Sequence, residues 1–191
     1  MNRLLRPLWL AVAVLGLVAG CAMPSAPDTA PLLKLSPASL GRELAMAQQM
    51  QVEAGGRSVT MDVALEADAT AVRMAVLQLG RTLARMEWDG QQLTRTLAPG
   101  WPDSLLAESV LNDLQLVWWP VGAIRGALPA GWTLEQTASR RTLWHGPQRV
   151  VVIELAQGGT TIVIRHPLEG YTVQVRTETQ SPIFDATADK P

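Results

Sequence analysis

A period of two governs the apolar residues between positions 44 and 97, and it constrains the fold more than any other feature of the chain. Apolar side chains alternate there with polar or small ones at Leu44, Met46, Met50, Val52, Val59, Met61, Val63, Leu65, Val72, Met74, Val76, Ala84, Met86 and Trp88. Because successive side chains of a strand point to opposite faces, this pattern predicts antiparallel strands with one buried face. The pattern predicts five strands, and Gly55–Gly56, residues 66–70 and Asp89–Gly90 form three of the connections between them. Asp89–Gly90 predicts a two-residue type I′ hairpin.

The period changes to three and four after Asp103. The stripe of an amphipathic helix is formed by Leu106, Val110, Leu111, Leu114, Val117 and Trp118. We expect Asp103 or Ser104 to cap the start of this helix. We expect Pro120 to end it, because the residue before a proline is pushed out of helical geometry. A short second helix is expected over residues 121–128.

Strands resume at Trp132 and continue through "RVVVIELA", "TTIVIRH" and "GYTVQVRTE". An antiparallel sheet of this size twists and curls, and its apolar face must be covered. The sequence therefore predicts a mainly β (α+β) domain. We expect a strongly curved antiparallel sheet or incomplete β-barrel of about nine to eleven strands, with a helical plug or lid on its concave side.

The N-terminus has the features of a secretory signal. Arg3 and Arg6 precede the apolar run 8–19, which is too short to span a bilayer, and small residues follow it. The only cysteine, Cys21, comes directly after "LVAG". We expect a signal peptide over residues 1–20, a tether rich in proline over 21–37, one domain over 38–180 and a loose tail over 181–191.

The segment "LVAGC" resembles a bacterial lipobox. This resemblance implies cleavage before Cys21 and attachment of a lipid to its thiol. Ala22 stands where an aspartate retains lipoproteins in the inner membrane of enteric-type bacteria, so the resemblance also implies the periplasmic face of the outer membrane. The alternative is an ordinary signal followed by an unpaired cysteine, since a lone cysteine cannot form an intramolecular disulfide.

The charged residues point to neither nucleic acid nor catalysis. Removing residues 1–20 leaves 14 of the 16 basic side chains against 17 acidic ones, a net charge of −3 without a basic block. His145 and His166 stand in no metal-ligand spacing, and we expect no metal, cofactor or catalytic residue. Arg140, Arg141 and Arg149 form the one basic cluster, either an exposed strand edge kept soluble by charge or a docking patch.

The aromatic residues suggest an apolar binding site. After the signal the chain has six tryptophans but one Tyr and one Phe, and tryptophan favours boundaries where its N–H finds a partner. Methionine adapts to variable apolar contents. Adjacent helical residues point about 100° apart, so we expect Trp118 inside the concavity and Trp119 at its rim. The expected hydrophobic site comprises Trp88, Leu111, Leu114, Val117, Trp118, Trp119, Trp132, Met46, Met61 and Met74.

In its lipobox, its tether, its meander over residues 44–97 and its helical segment "LLAESVLNDLQLVWWPVGAIRGAL", the chain resembles the LolA/LolB lipoprotein carriers, LolB above all. It resembles more closely still a family of outer-membrane lipoproteins encoded beside aryl-polyene and fatty-acid-like synthesis genes. These resemblances imply an open barrel with a helical lid and a cavity for acyl chains. LolB also has an exposed apolar residue on an early loop, whereas the comparable connection here, residues 66–70, is acidic.

Three functions follow as hypotheses. The first is a non-catalytic acceptor or carrier at the outer membrane for a lipid or lipoprotein, with a polyene-type lipid as a specialised cargo and a periplasmic carrier protein as a possible partner. The alternative is a scaffold lipoprotein that recruits other envelope proteins, with the tryptophans as plain core. The third is an enzyme acting on a lipid-linked product through His145 and His166.

Overall fold

The computed structural model describes residues 29–103, 105–156 and 160–177. The strands in these ranges are β1 (Leu44–Ala54), β2 (Arg57–Ala67), β3 (Val72–Gln78), β4 (Arg81–Trp88), β5 (Leu93–Leu97), β6 (Trp132–Gln136), β7 (Arg140–His145), β8 (Gln148–Ala156), β9 (Thr161–His166) and β10 (Tyr171–Thr177). The helices are α1 (Ala107–Trp118) and α2 (Val121–Ala127), and a 3₁₀ turn spans Pro37–Leu40. The expected signal peptide, Cys21 and the tail lie outside the described residues.

All ten strands belong to one antiparallel sheet in the order β5-β4-β3-β2-β1-β10-β9-β8-β7-β6. The first and last strands pair at its centre, from Gln48↔Thr177 to Ala54↔Tyr171. The edges are β5 and β6, which are the strands that flank the two helices in the chain. The helices therefore cross from one edge of the curved sheet to the other, and the predicted mainly β class is confirmed.

The period of two places the apolar side chains on one face of the sheet. β1 and β2 pair along their full length, and Met50↔Met61 and Val52↔Val59 are opposite each other. Met50, Val52 and Met61 are buried, and Val59 packs against the same core. The face that carries these residues is covered by α1 and by the chain that leads into β1.

Helix α1 ends at Trp118, two residues before Pro120, as predicted. Its expected start is wrong. The residue that precedes the first helical turn is Leu106, whose extended backbone has no side-chain cap, while Asp103 lies in an exposed turn. Ser104 lies outside the described residues. Burial of Leu105, which is 2% exposed, fixes the approach to the helix instead of a polar cap. The second helix ends at Ala127, one residue earlier than expected.

The connection between β4 and β5 is longer than the predicted two-residue hairpin. Trp88 pairs with Leu93, so four residues form the loop. One carboxylate oxygen of Asp89 accepts hydrogen bonds from the backbone N–H groups of Gln91 and Gln92, at 2.8 and 2.7 Å. The Asp89 side chain thus supplies acceptors for the N–H groups of the loop, and Asp89 does not need the positive φ of a type I′ turn. The prediction of a two-residue hairpin from Asp89–Gly90 is therefore wrong.

Folded chain begins before the expected boundary at residue 38. Leu33 and Leu35 are buried in the core. The backbone N–H of Leu33 donates to Oδ1 of Asn112 at 3.2 Å, and that of Leu35 donates to Oε1 of Gln115 at 3.3 Å. Residues 29–36, the N-terminal segment, therefore lie along α1. The abundance of proline and alanine suggested a free tether, but alternate leucines fasten the segment to the helix.

Arg141 is buried at the end of α1. It is 1% exposed, and its Nη1 donates to the carbonyl oxygens of Leu116, Val117 and Trp119 at 2.7, 3.1 and 2.9 Å. Its Nε donates to Gln136 Oε1 at 2.7 Å. The last carbonyls of a helix lack partners within the helix and favour a cation. The expectation of an exposed edge or docking patch is wrong for Arg141, because β7 is an interior strand.

We predict that Arg141→Met lowers the free energy of unfolding by about 3 kcal/mol or more, because charged hydrogen bonds are lost and buried carbonyls are left without donors. The matched control is Arg140→Met on the exposed face of the same strand, which should change stability by no more than about 0.5 kcal/mol. Urea unfolding of both variants measures the difference. Equal losses would contradict the role assigned to Arg141.

Candidate functional site

An apolar pocket lies between α1 and the middle of the concave sheet. Strands β1, β2, β3, β9 and β10 form one wall, and α1 with Leu105 forms the other. The pocket has a volume of about 60 Å³. Its described lining side chains are apolar except Gln48 and Asp113; they are Gln48, Met50, Val63, Met74, Leu105, Val110, Asp113, Leu114, Val117, Trp118, Ile162, Ile164, Val173 and Val175.

The volume of the pocket limits the size of the ligand that this conformation can hold. An apolar cavity of about 150 Å³ takes up benzene, and sites for larger ligands measure about 300–1,000 Å³. At about 60 Å³ the pocket accepts only a short apolar segment. A full acyl chain therefore requires α1 or the lining side chains to move. Met50 and Met74 are flexible enough to adjust, and Leu114 is only half-buried.

The two polar lining residues are held differently. Gln48 donates from Nε2 to the hydroxyl oxygen of Thr177 at 2.9 Å. Asp113 Oδ2 lies 2.9 Å from Nε2 of His166, which joins α1 to the end of β9. The second carboxylate oxygen, Oδ1, is buried and has no hydrogen-bond partner among the described residues. Asp113 is thus a half-satisfied carboxylate in an apolar wall.

His166 lies between two carboxylates. Its Nδ1 is 3.4 Å from Oε1 of Glu169, and its ring stacks on Tyr171 with centroids 4.2 Å apart. Burial alone lowers the pKa of His166, but the hydrogen bond and charge of Asp113, with the charge of Glu169, raise it above its usual value. Burial raises the pKa of Asp113 and of Glu169 against the opposing charge of His166.

Four of the sequence-predicted site residues line the pocket: Met74, Leu114, Val117 and Trp118. Trp118 points inward as expected, and the Arg42 guanidinium lies 5.8 Å from its ring centroid. The other predicted site residues do not line this pocket. Four contribute to the core or pack against it, namely Met46, Met61, Trp88 and Leu111.

Trp119 is not at the rim. It is 0% exposed, and its indole N–H donates to the carbonyl oxygen of Ser36 at 3.1 Å and to the hydroxyl of Ser39 at 3.0 Å. The N–H of Trp88 similarly donates to the carbonyl of Leu35 at 2.7 Å. Both indoles therefore fasten the N-terminal segment and the 3₁₀ turn. The expectation that Trp88 and Trp119 line a site was wrong, because their partners Leu35 and Ser36 were expected to belong to a free tether.

Trp132 also lies away from the pocket. It is on the edge strand β6, where its ring stacks on His145 with centroids 4.7 Å apart. The sheet wall of the pocket instead includes Ile162, Ile164, Val173 and Val175 of β9 and β10, which were not predicted as site residues. Asp113 was missed as well, although the sequence contains a signal for it. At spacings of three and four from Val110 and Val117, it places a carboxylate inside the apolar stripe of the helix.

Within the described residues, no group of three or more His, Cys, Asp or Glu side chains is arranged to hold a metal ion. In the same part of the chain, no helix is long and apolar enough to cross a membrane.

The His166 cluster predicts a pH dependence. The folded protein binds the His166 proton more tightly than the unfolded chain, so the stability that it contributes is full below pH 6.5 and is lost as the pH rises through the raised folded pKa. Urea unfolding between about pH 6 and about pH 9 should show decreasing stability for the wild type and a flatter profile for His166→Gln. His145→Gln, outside the cluster, is the control and keeps the wild-type slope. Parallel profiles for wild type and His166→Gln would contradict the prediction.

Two solved structures are similar to the chain at low identity. A DUF1329 family protein from Desulfovibrio piger is 9% identical with a TM-score of 0.33, and the match covers 83% of this chain and 92% of that one. A chain from the Pseudomonas aeruginosa MucA/MucB complex is 14% identical with a TM-score of 0.40. That match covers 78% of this chain but only 56% of the other. Among curated proteins, none matches the sequence significantly.

A protein-family model matches the sequence. It spans residues 45–179, from the second residue of β1 to just beyond the end of β10, and so includes every strand and helix of the sheet domain. The family is described as "Protein of unknown function (DUF3261)". This match extends over well more than half of the sequence, and the chain belongs to the DUF3261 family.

Proposed function

We propose that this protein is a non-catalytic lipid or lipoprotein acceptor and carrier that holds an acyl chain in the pocket beneath α1. The observation that carries the proposal is the pocket itself, in which a helix covers the centre of a curved sheet and the lining is apolar except for Gln48 and Asp113. Ligand sites are commonly concave and apolar with few polar groups. The LolB resemblance implies the same arrangement, with a helical lid over an open barrel.

The attachments of α1 support opening from one end. At its C-terminal end, the buried Arg141 donates to carbonyl oxygens of α1, and the buried Trp119 donates to Ser36. At its N-terminal end no described side chain caps the helix, and an exposed ion pair joins Glu108 to Arg95. Exposed ion pairs contribute little stability. We therefore infer that the N-terminal half of α1 moves outward to admit a chain while the C-terminal end stays in place.

The contacts of both histidines support a role without chemistry. The two ring nitrogens of His166 lie beside Asp113 and Glu169. The ring of His145 is stacked on Trp132, which lies on the edge strand β6. The contacts of both rings are thus with carboxylates and aromatic side chains. A transfer by binding and release needs no nucleophile or general base.

The proposed address is the periplasmic face of the outer membrane, through a lipid on Cys21. Support comes from the lipobox-like "LVAGC" and from Ala22 after it. The described chain starts at Thr29, which borders the same small pocket as His166 and Glu169. Seven residues lie between Cys21 and Thr29, and the eight Cα–Cα steps that join the two span at most about 28 Å. The anchor would therefore hold this end of the domain close to the bilayer.

Leu79 supports contact with that bilayer. It is 95% exposed and has a φ of 50° in the turn between β3 and β4, followed by Gly80 with a φ of 75°. Such a turn favours Asn, Asp or Gly, and left-handed backbone costs a leucine about 1–2 kcal/mol. Strain and exposure together favour a function for the side chain. The turn lies at the same end of the sheet as the β9–β10 turn, because β3 and β9 run in the same direction.

Leu79 also changes the comparison with LolB. The acidic connection at residues 66–70 lacks an exposed apolar residue, and Asp68 uses its carboxylate there to accept from the N–H groups of Thr70 and Ala71. The exposed apolar residue stands on the next connection instead. Its position favours delivery of cargo to a membrane over simple retention of cargo.

A scaffold role is the second candidate, and one observation favours it. The pocket volume of about 60 Å³ is what a nearly filled core leaves. In that case the side chains beneath α1 only stabilise the domain, and the protein acts through its surface.

Binding of a hydrophobic fluorophore separates the two candidates. Wild type should bind N-phenylnaphthylamine, and a long-chain lipid should displace it. Leu114→Trp, at a half-buried lining position, fills the pocket and should weaken binding by about tenfold or more. Leu97→Trp, on an exposed part of β5, is the control and should bind as wild type. Failure of the folded wild type to bind would overturn the carrier proposal.

Leu79→Asn should raise the stability of the domain by up to about 1 kcal/mol, because Asn tolerates the left-handed backbone. The same change should reduce association of the unlipidated chain with phosphatidylethanolamine–phosphatidylglycerol vesicles in flotation. Leu79→Met keeps the apolar side chain and should retain the association. Equal flotation of the Asn and Met variants would contradict membrane contact by Leu79.

A further inference from the structure

A second pocket, of about 130 Å³, lies on the other side of Asp113 from the apolar pocket. Its polar lining comes from Thr29 of the N-terminal segment, from Glu108, Ser109, Asn112 and Asp113 of α1, and from His166 and Glu169 at and after the end of β9. Among the described residues, Asp113 alone borders both pockets. An apolar space and a polar space therefore meet at one carboxylate.

That carboxylate has unused hydrogen-bonding capacity. Asp113 is 6% exposed, and its Oδ2 is taken by His166 at 2.9 Å. Its Oδ1 is buried without a partner among the described residues. Buried polar atoms in folded proteins nearly always have partners, and a missing partner is unfavourable. A donor on a bound molecule would satisfy Oδ1 from either pocket.

The charges around this junction restrict the donor. Three carboxylates, on Glu108, Asp113 and Glu169, face one imidazole, that of His166. Glu108 is paired with Arg95, which leaves the carboxyl groups of Asp113 and Glu169 beside the imidazole of His166. A phosphate or carboxylate head group would meet like charge here, whereas an ammonium or a hydroxyl group would find acceptors.

We propose that Asp113 is the polar end of the acyl-chain site and that the ligand is an amphiphile whose head group donates hydrogen bonds and carries no negative charge. The proposal rests on the proposed carrier function and assigns the head-group chemistry of the same site. The head group donates to Oδ1 of Asp113 from the second pocket. The hydrocarbon runs past Leu114 and Val117 toward Trp118 in the first.

Three amphiphiles with the same chain test the head-group assignment. Dodecylamine, dodecanol and dodecanoate compete with N-phenylnaphthylamine for the mature chain, below their micelle concentrations and at neutral pH. Dodecylamine and dodecanol should each displace the fluorophore at about tenfold lower concentration than dodecanoate. Equal displacement by all three, or preference for dodecanoate, would overturn the assignment.

Variants locate the preference. Asp113→Asn keeps the shape of the side chain and should reduce the preference for the amine over dodecanoate to about threefold or less. Asp62→Asn, on the exposed face of β2, is the matched control and should keep the full preference. A preference unchanged in Asp113→Asn would overturn the role of this residue. The comparison of amphiphiles uses wild type alone, so it decides the assignment even where Asp113→Asn fails to fold.

The same experiment separates this inference from the carrier function on which it rests. Displacement by all three amphiphiles at one concentration means that the acyl pocket binds but does not select a head group. Absence of fluorophore binding by wild type means that the carrier function itself is wrong. Efficient displacement by dodecanol but not by dodecylamine would overturn the assignment of an ammonium head group and support a hydroxyl head group.

Discussion

The pairing of the first strand with the last determines the rest of the structure. When β1 and β10 pair along Gln48–Ala54, both chain ends of the sheet lie at its centre, and β5 and β6 become its edges. The chain between those edges must then cross the sheet. Because one face of the sheet is apolar, the crossing segment is the amphipathic helix that covers it. The pocket lies where this helix spans the middle strands, at the point of greatest distance from either edge.

The helix is held unequally along its length, and this inequality gives the pocket its proposed use. Arg141 and Trp119 fix the C-terminal end through buried hydrogen bonds. Toward the N-terminus the contacts are ionisable, with Glu108 at an exposed arginine and Asp113 at His166. A volume of about 60 Å³ is too small for an acyl chain while the helix is seated. Under the proposed function, an acyl chain would enter only if the N-terminal end of α1 moves.

Local patterns in the sequence predict the strands, α1, its end before Pro120 and the inward direction of Trp118. They fail wherever a side chain finds a partner far away in the chain. From the sequence Arg141 is expected to be exposed, but in the structure it donates to the carbonyl of Trp119 at the end of α1. Trp119 is expected at the rim, but its indole N–H donates to the carbonyl of Ser36. The part of the pocket wall that β9 and β10 form depends on the pairing of β10 beside β1. Strand alternation predicts which face is apolar, but it does not identify which strands become neighbours.

Intermolecular nuclear Overhauser effects would show whether an acyl chain occupies the space between α1 and the sheet. Protein carrying ¹³C-labelled methionine methyl groups would be mixed with dodecanol. The account predicts contacts from the ligand methylenes to the methyl groups of Met50 and Met74, which line the pocket, and none to Met46, which does not. Contacts to Met46 alone, or bound dodecanol without contacts to Met50 and Met74, would contradict it.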